Sequence, residues 1–109
     1  MQINKKSKIF LAGHNGMVGS AIYKKLKIKG YKNIIVQSRK NLDLLDQNKT
    51  HKFIKKKKPK LVIIAAAKVG GIVANSTSKD KFLYDNLQIQ NNLIHGSYLS
   101  GVKNLFLLG

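Results

Sequence analysis

The sequence contains no cysteine and no tryptophan, and it has only one proline and four acidic residues among 109 positions. Without cysteine there can be no disulfide, no thiolate metal site and no cysteine nucleophile. Long hydrophobic runs are also missing, since the longest, residues 61–67, is far shorter than a membrane span. The N-terminus lacks the apolar core and cleavage site of a signal peptide. We therefore expect one small cytoplasmic domain with no membrane partner.

The shortage of acidic residues leaves a basic chain, with 21 lysine and arginine residues and a formal charge of +17. Such a charge favours polyanions, so a basic nucleic-acid-binding domain is one hypothesis. We do not expect nucleic acid as the ligand, because no reading motif is present and the lysines fall on several segments, not on one evident face. We attribute them to a composition enriched in lysine, asparagine and isoleucine. The run Lys55–Lys58 is interpreted as a solvated helix end that Pro59 terminates.

Short apolar segments alternate with helical patterns along the chain. Runs rich in branched side chains, typical of strands buried on both faces of a parallel sheet, occupy residues 8–12, 33–37, 61–67 and 104–108. Residues 42–45 are predicted to add a small edge strand, which brings the number of expected strands to five. Helices are predicted over 17–29, 47–57 with Asp46 as the N-cap, and 80–99. The pattern predicts an α/β fold, a Rossmann-type three-layer sandwich with a parallel sheet.

Three glycines at three-residue spacing, Gly13, Gly16 and Gly19, separate the first predicted strand from the first helix. In a dinucleotide site the first glycine permits the tight turn, the second lets the backbone approach a pyrophosphate, and the third lets the helix pack closely. The helix N-terminus then directs N–H groups at the phosphates. The spacing differs from the G-x-G-x-x-G of standard dehydrogenases. The alternative interpretation of the three glycines is a turn that packs tightly and binds no ligand. We nevertheless predict a diphosphate site here.

The end of the second predicted strand indicates which dinucleotide would bind. It carries Arg39 where an acid would contact the 2′-hydroxyl of NAD, and a guanidinium there suits the 2′-phosphate of NADP. A plain surface cation is the alternative. Asp43 and Leu44 are candidates for the adenine, although Asp43 could instead cap the next helix. Small residues at 65–67, followed by Gly70 and Gly71, would leave room for a ligand beside the third strand.

The segments AGHNGMVGSAI, LDLLD, AAAKVGGIVANST and NLIHGSYLSGVKNLFLLG together resemble the N-terminal part of the GDP-L-fucose synthases, within the extended short-chain dehydrogenase/reductase superfamily. The resemblance implies an NADP-binding epimerase/reductase that converts GDP-4-keto-6-deoxymannose to GDP-fucose, and homodimers for the full-length relatives. The cofactor-binding residues that it implies are Gly13, Asn15, Gly16, Met17, Val18, Gly19, Arg39, Asp43, Leu44, Ala65, Ala66, Ala67 and Asn86. Asn15 departs from the family, which often has arginine there as a second contact to the 2′-phosphate.

In that family a catalytic serine and a Tyr-x-x-x-Lys pair follow the strand that ends this sequence at Gly109. We therefore expect the N-terminal part of a Rossmann domain, inactive alone, with no catalytic residues, no substrate domain and a C-terminal chain as a candidate partner. A non-catalytic NADP-binding module is the other alternative. Tyr23 and Lys27 have the catalytic spacing by coincidence. The histidines, His14, His51 and His95, are expected to be scattered surface or packing residues, and no metal site is expected.

Overall fold

The computed structural model describes residues 3–65 and 76–108. Its elements in chain order are β1 (Ile9–Ala12), α1 (Met17–Ile28), β2 (Ile34–Ile35), α2 (Gln47–Lys57), β3 (Leu61–Ile64), α3 (Ser76–Leu99) and β4 (Leu105–Leu107). The predicted strands and helices thus occur within a few residues of their expected positions, with one exception described below. Within these residues no helix is long and apolar enough to cross a membrane.

The described strands form one parallel sheet in the order β2-β1-β3-β4. Ile9 of β1 is in register with Ile34 of β2 on one side and with Leu61 of β3 on the other. The chain leaves β1 toward β2 and leaves β3 toward β4, so the direction of winding reverses between β1 and β3. In α/β sheets ligands bind in the crevice at the carboxyl ends of the strands beside such a switch point.

Helices cover both faces of the sheet. Alternate residues of a strand point to opposite faces, and Ile9 and Leu11 pack with Ile22 and Leu26 of α1. Phe10 belongs to the other cluster, which contains the buried residues of α2 and α3. The three-layer Rossmann-type arrangement predicted from the sequence is therefore confirmed.

The predicted edge strand at 42–45 is wrong. The backbone N–H of Leu42 donates to Ser38 O at 2.9 Å, and that of Asp46 donates to Asp43 O at 2.9 Å, so this segment forms successive turns. Backbone groups committed to local turns cannot also pair with a neighbouring strand. Leu42 is buried against the core formed with α2 and α3, which explains the apolar character of the segment. The described part of the chain accordingly has four strands where five were expected.

Several large apolar side chains remain on the surface. Met17 and Ile28, at the two ends of α1, are 89% and 74% exposed, so neither contributes to the buried side of that helix. The three residues of β4 are also exposed, with Phe106 at 55%. On α3 the exposed apolar and aromatic residues are Leu83, Tyr84, Leu87, Ile94, Tyr98 and Leu99.

The two ends of α2 follow the signals in the sequence. Asp46 Oδ1 accepts a hydrogen bond from the Lys49 N–H at 3.0 Å, which confirms Asp46 as the N-cap. The helix ends at Lys57, and Lys58 adopts the left-handed conformation with φ of 49°. Its N–H donates to Ile54 O, a pattern that closes many helices just before a proline.

Candidate functional site

A cleft of about 350 Å³ lies at the carboxyl ends of β1 and β2. Its walls come from the turn after β1, the long connection after β2 and one side chain of α3. The lining residues are Gly13, His14, Asn15, Gly16, Gln37, Arg39, Leu42, Asp43, Leu44, Leu45 and Ile89. Six of them, Gly13, Asn15, Gly16, Arg39, Asp43 and Leu44, were predicted from the sequence as cofactor-binding residues.

Gly13 and Gly19 allow the tight connection between β1 and α1 beside the cleft. Gly13 has φ of 92°, a conformation that side chains strongly disfavour, so the turn out of β1 depends on glycine there. A Cβ built on Gly19 would lie 1.8 Å from Gly13 O. No side chain fits that gap, and α1 approaches the end of β1 closely because Gly19 has none.

Gly16 differs from the other two glycines. It is the N-cap of α1 with extended backbone, and a Cβ added to it would meet only Gly13 O, at 3.7 Å. Nothing in the described protein therefore requires glycine at this position, and the space that a side chain would occupy is open. Among the described residues no side chain caps the first turn of α1, and that turn carries no acid. Its N–H groups are available to an anionic ligand.

Arg39 supplies the positive charge of the cleft. It lies four residues after β2, is exposed and lines the cleft together with Gln37. The nearest carboxylate in sequence, Asp43, uses Oδ1 to accept the Leu45 N–H at 3.0 Å. No salt bridge to Arg39 occurs between described residues, so its guanidinium is free to pair with a phosphate.

The loop after β2 is held in place by a residue that the sequence analysis missed. Asn92 of α3, only 3% exposed, donates from Nδ2 to Leu44 O at 2.8 Å. Its Oδ1 accepts from Gln88 Nε2 at 3.2 Å, so both ends of the amide are satisfied. The sequence feature that could have identified Asn92 is its position directly beside apolar core residues of the helix. A buried amide at such a position needs a specific hydrogen-bond partner.

The other predicted cofactor residues that the structure describes do not line the cleft. Met17 and Val18 form the exposed first turn of α1, and Asn86 is buried in α3, one turn before Ile89. Ala65 continues β3 and donates its N–H to Ala12 O at 2.8 Å. Two predicted cofactor residues and two loop glycines lie outside the described residues, namely Ala66, Ala67, Gly70 and Gly71.

The histidines are less scattered than the sequence suggested. Packing of α2 against α3 brings the rings of His51 and His95 to a centroid distance of 5.7 Å, and His95 stacks on Tyr98 at 6.2 Å. They border a second cleft between these helices. His14 lines the first cleft. Tyr23 and Lys27 line neither, and the Lys27 ammonium lies 5.6 Å from the centroid of the Tyr23 ring on α1.

The first cleft combines three features of a nucleotide site. Backbone N–H groups lie at the start of α1, one guanidinium follows β2, and leucine and isoleucine side chains form an apolar wall. The N–H groups and the guanidinium suit phosphates, and the apolar wall suits a flat ring.

Comparison with known proteins agrees with this arrangement. The family model described as the NAD dependent epimerase/dehydratase family matches residues 9–109. The chain is 50% identical over 106 residues to GDP-L-fucose synthase 1 of Arabidopsis thaliana, an alignment that covers 97% of this chain and 33% of that protein. It is 43% identical over 104 residues to the GDP-L-fucose synthase of Escherichia coli K12, with 95% and 32% of the two chains covered.

Solved structures extend the similarity to three dimensions. The structure of a GDP-mannoheptose C4 reductase from Campylobacter jejuni with NADP bound superposes with a TM-score of 0.91 at 40% identity. The superposition covers 99% of this chain and 34% of that one. The chain thus spans about a third of the length of the relatives that it matches.

Proposed function

The chain belongs to the NAD-dependent epimerase/dehydratase family, and we propose that it is the NADP-binding portion of a GDP-sugar epimerase/reductase of the GDP-L-fucose synthase type. The reaction proposed for the whole enzyme is conversion of GDP-4-keto-6-deoxymannose to GDP-fucose. The cofactor would supply the hydride for reduction of the keto sugar. This chain's part is to bind and orient that cofactor.

The described residues fit NADP at three points. The open space at Gly16, next to the uncapped first turn of α1, accepts a diphosphate close to the backbone. We assign the 2′-phosphate to Arg39, which lines the same cleft. Asp43 and Leu44 form the wall assigned to the adenine, and Asn92 holds the Leu44 carbonyl. Asn15 lines the same cleft and contributes no second positive charge.

We assign catalysis to segments outside these 109 residues. The family resemblance of the sequence implies a catalytic serine and a Tyr-x-x-x-Lys pair after the strand equivalent to β4. The only pair here with that spacing, Tyr23 and Lys27, lies toward the C-terminal end of α1, away from the cleft. We therefore expect cofactor binding without turnover from the 109-residue chain.

The exposed apolar surfaces indicate where partners would bind. In the sheet formed by the described residues, β4 lies at an edge with all three side chains exposed, a surface that promotes pairing with another strand. We assign this edge to a complementing C-terminal chain that carries the catalytic residues. The exposed apolar residues of α3 are assigned to a second copy of the enzyme. Co-expression with the C-terminal two-thirds of a relative should raise solubility and restore turnover of the keto sugar.

The single observation that carries the proposal is the open, uncapped start of α1 beside an unpaired Arg39. The test is fluorescence titration with NADPH and NADH. We expect selective binding of NADPH, and Arg39→Gln should weaken it about 10- to 100-fold, as loss of a charge-assisted bond predicts. Lys40→Gln is the matched control, because it removes the neighbouring positive charge without altering the cleft lining. Equal binding of both nucleotides, or equal losses from both variants, would refute the assignment of Arg39.

A further inference from the structure

A group of lysines from four segments lies at one edge of the sheet, a clustering that the sequence analysis did not expect. Four segments, at residues 5–8, 29–32, 55–60 and at Lys103, precede the four strands or end the helices before them. Together they hold roughly half of the 21 basic residues of the chain. A parallel α/β sheet places all strand starts at the same edge, opposite the carboxyl ends. We call the surface formed by these four segments the basic face.

Hydrogen bonds show that the four segments are neighbours. The Lys32 N–H donates to Lys5 O at 3.0 Å, and the Lys60 N–H donates to Lys8 O at 2.8 Å. The Lys8 ammonium donates to Lys57 O at 3.4 Å. Before β4, Asn104 Nδ2 donates to Lys60 O at 3.2 Å, so the segment that contains Lys103 lies next to the segment that precedes β3. The basic face is therefore continuous across the sheet, from β2 to β4.

Acidic residues are absent from this face. The four acids of the chain are Asp43, Asp46, Asp80 and Asp85. The first two lie in the connection between β2 and α2, at the carboxyl ends of the strands, and the others lie in the first half of α3. Asp85 already pairs with Lys81 at 2.9 Å. The like charges of the basic face are thus not neutralised by the chain itself, and an external polyanion would relieve their repulsion.

Helix dipoles account for only part of the pattern. Lysines in the last turns of α1 and α2 complement the negative ends of those helices. Lys8 belongs to this pattern as well, because its ammonium donates to Lys57 O at the last residue of α2. Lys6 precedes β1 and lies on no helix, so the helix ends do not account for it.

We propose that the basic face binds the phosphate backbone of duplex nucleic acid without sequence preference. Adjacent strands lie about 4.8 Å apart, so four strand starts span about 15 Å, a width similar to the major groove of about 12 Å. Lysine ammonium groups contact phosphates as point charges and lack the fork with which arginine reads guanine. The face is opposite the cleft and is independent of the NADP proposal.

An anionic membrane is the competing partner, and the exposed side chains favour nucleic acid over it. Membrane-surface binding of the amphipathic type places large apolar side chains beside the basic ones. The four segments contain only one large aromatic or apolar side chain, Tyr31, which is partly buried. Ile28 and Leu105, close to two of the segments, are exposed. The face thus offers charge with little apolar surface to insert.

The test measures binding of the 109-residue chain to a mixed-sequence duplex of about 20 base pairs by fluorescence anisotropy, between about 50 and 200 mM salt. The variant K6Q/K32Q/K60Q removes one lysine from each of three segments. The control K24Q/K49Q/K52Q removes the same charge from exposed positions of α1 and α2 outside the face. Circular dichroism melting checks that both variants fold like the parent chain.

We expect the parent to bind with a steep salt dependence and the face variant to lower the slope of log K against log salt by about 3 units. The control should keep the slope of the parent. Equal effects of the two variants would show that net charge alone acts, and absence of binding at low salt would likewise overturn the proposal. Tighter binding to phosphatidylserine vesicles than to the duplex, lost in the face variant, would assign the face to a membrane instead.

Discussion

The first turns of α1 and α2 begin in the same region of the molecule and are completed in different ways. Each helix follows a strand, and neither has an acid in its first turn. Asp46 caps α2 with a hydrogen bond of 3.0 Å to the Lys49 N–H. Gly16 begins α1 with no side-chain cap from the described residues. One helix end is satisfied by the chain itself, and the other is left for a ligand.

This difference explains why the glycines near α1 are not interchangeable. Gly19 is required by the protein, because its missing side chain lets α1 approach Gly13. Gly16 is not required by any described contact, so its value lies in ligand access. Stability and ligand binding should therefore respond oppositely to substitutions only three residues apart.

The largest effect is expected from Gly19→Ala. Its Cβ would overlap Gly13 O, and displacing α1 from β1 should lower the free energy of unfolding by about 3 kcal/mol or prevent folding, at the upper end for overpacked sites. Urea unfolding followed by circular dichroism measures the loss. Ser20→Ala, next to it on the exposed side, should change stability by less than about 0.5 kcal/mol. A stable Gly19→Ala chain would contradict the close approach of α1 to β1.

The second largest effect is expected on NADPH binding, from substitution of Gly16. Gly16→Val fills the open space at the helix start and should weaken NADPH binding about tenfold or more, since a diphosphate could no longer approach the backbone. Gly16→Ala should weaken it less. Unfolding should change little in the alanine variant, because the added Cβ makes an ordinary contact of 3.7 Å. NADPH affinity that is unchanged in both variants would remove the diphosphate from this turn.

Asp46→Ala tests the helix that the chain caps itself. Loss of the cap should reduce the free energy of unfolding by about 1 kcal/mol, and Asp46→Asn should preserve most of it. The affinity for NADPH should remain that of the parent chain, because Asp46 does not line the cleft. Thermal melting and nucleotide titration of the two variants provide the measurements. If Asp46→Ala weakened NADPH binding as much as Gly16→Val, the proposal that only the start of α1 binds the ligand would be contradicted.

The smallest effect is expected from Met17→Glu, which gives α1 the acid that its first turn lacks. Met17 is 89% exposed, so no packing is lost, and the new charge should stabilise the helix by about 0.3–1 kcal/mol. The same charge should repel the phosphates and weaken NADPH binding. Met17→Gln is the uncharged control. If the glutamate variant bound NADPH as tightly as the glutamine variant, the phosphates would not lie at this helix end.

Local signals in the sequence predicted most of the fold. Asp46 before a helical pattern, Pro59 after a lysine run and glycines after a buried strand act through neighbouring residues, and the structure has the corresponding cap, helix end and turn. The segment 42–45 was mistaken for a strand because a buried turn can be as apolar as a strand. Only its backbone hydrogen bonds distinguish the two.

The remaining errors concern residues far apart in sequence. His51 and His95, Asn92 and Leu44, and the four lysine segments meet because helices pack and parallel strands align. The local sequence pattern does not predict these contacts, because they depend on the order of the strands in the sheet and on how the helices pack. The cofactor roles of the cleft residues remain predictions from the sequence that the titrations above address.

The bond from Asn92 to Leu44 joins the middle of the longest helix to the loop that forms one wall of the cleft. A nucleotide that immobilises this loop must strengthen the attachment of α3, because coupling between two sites is reciprocal. Amide protons of α3 should then exchange more slowly in the presence of NADPH. Ile89 of α3 also lines the cleft, so this amide and that side chain together would communicate occupancy of the cleft to the exposed side of α3.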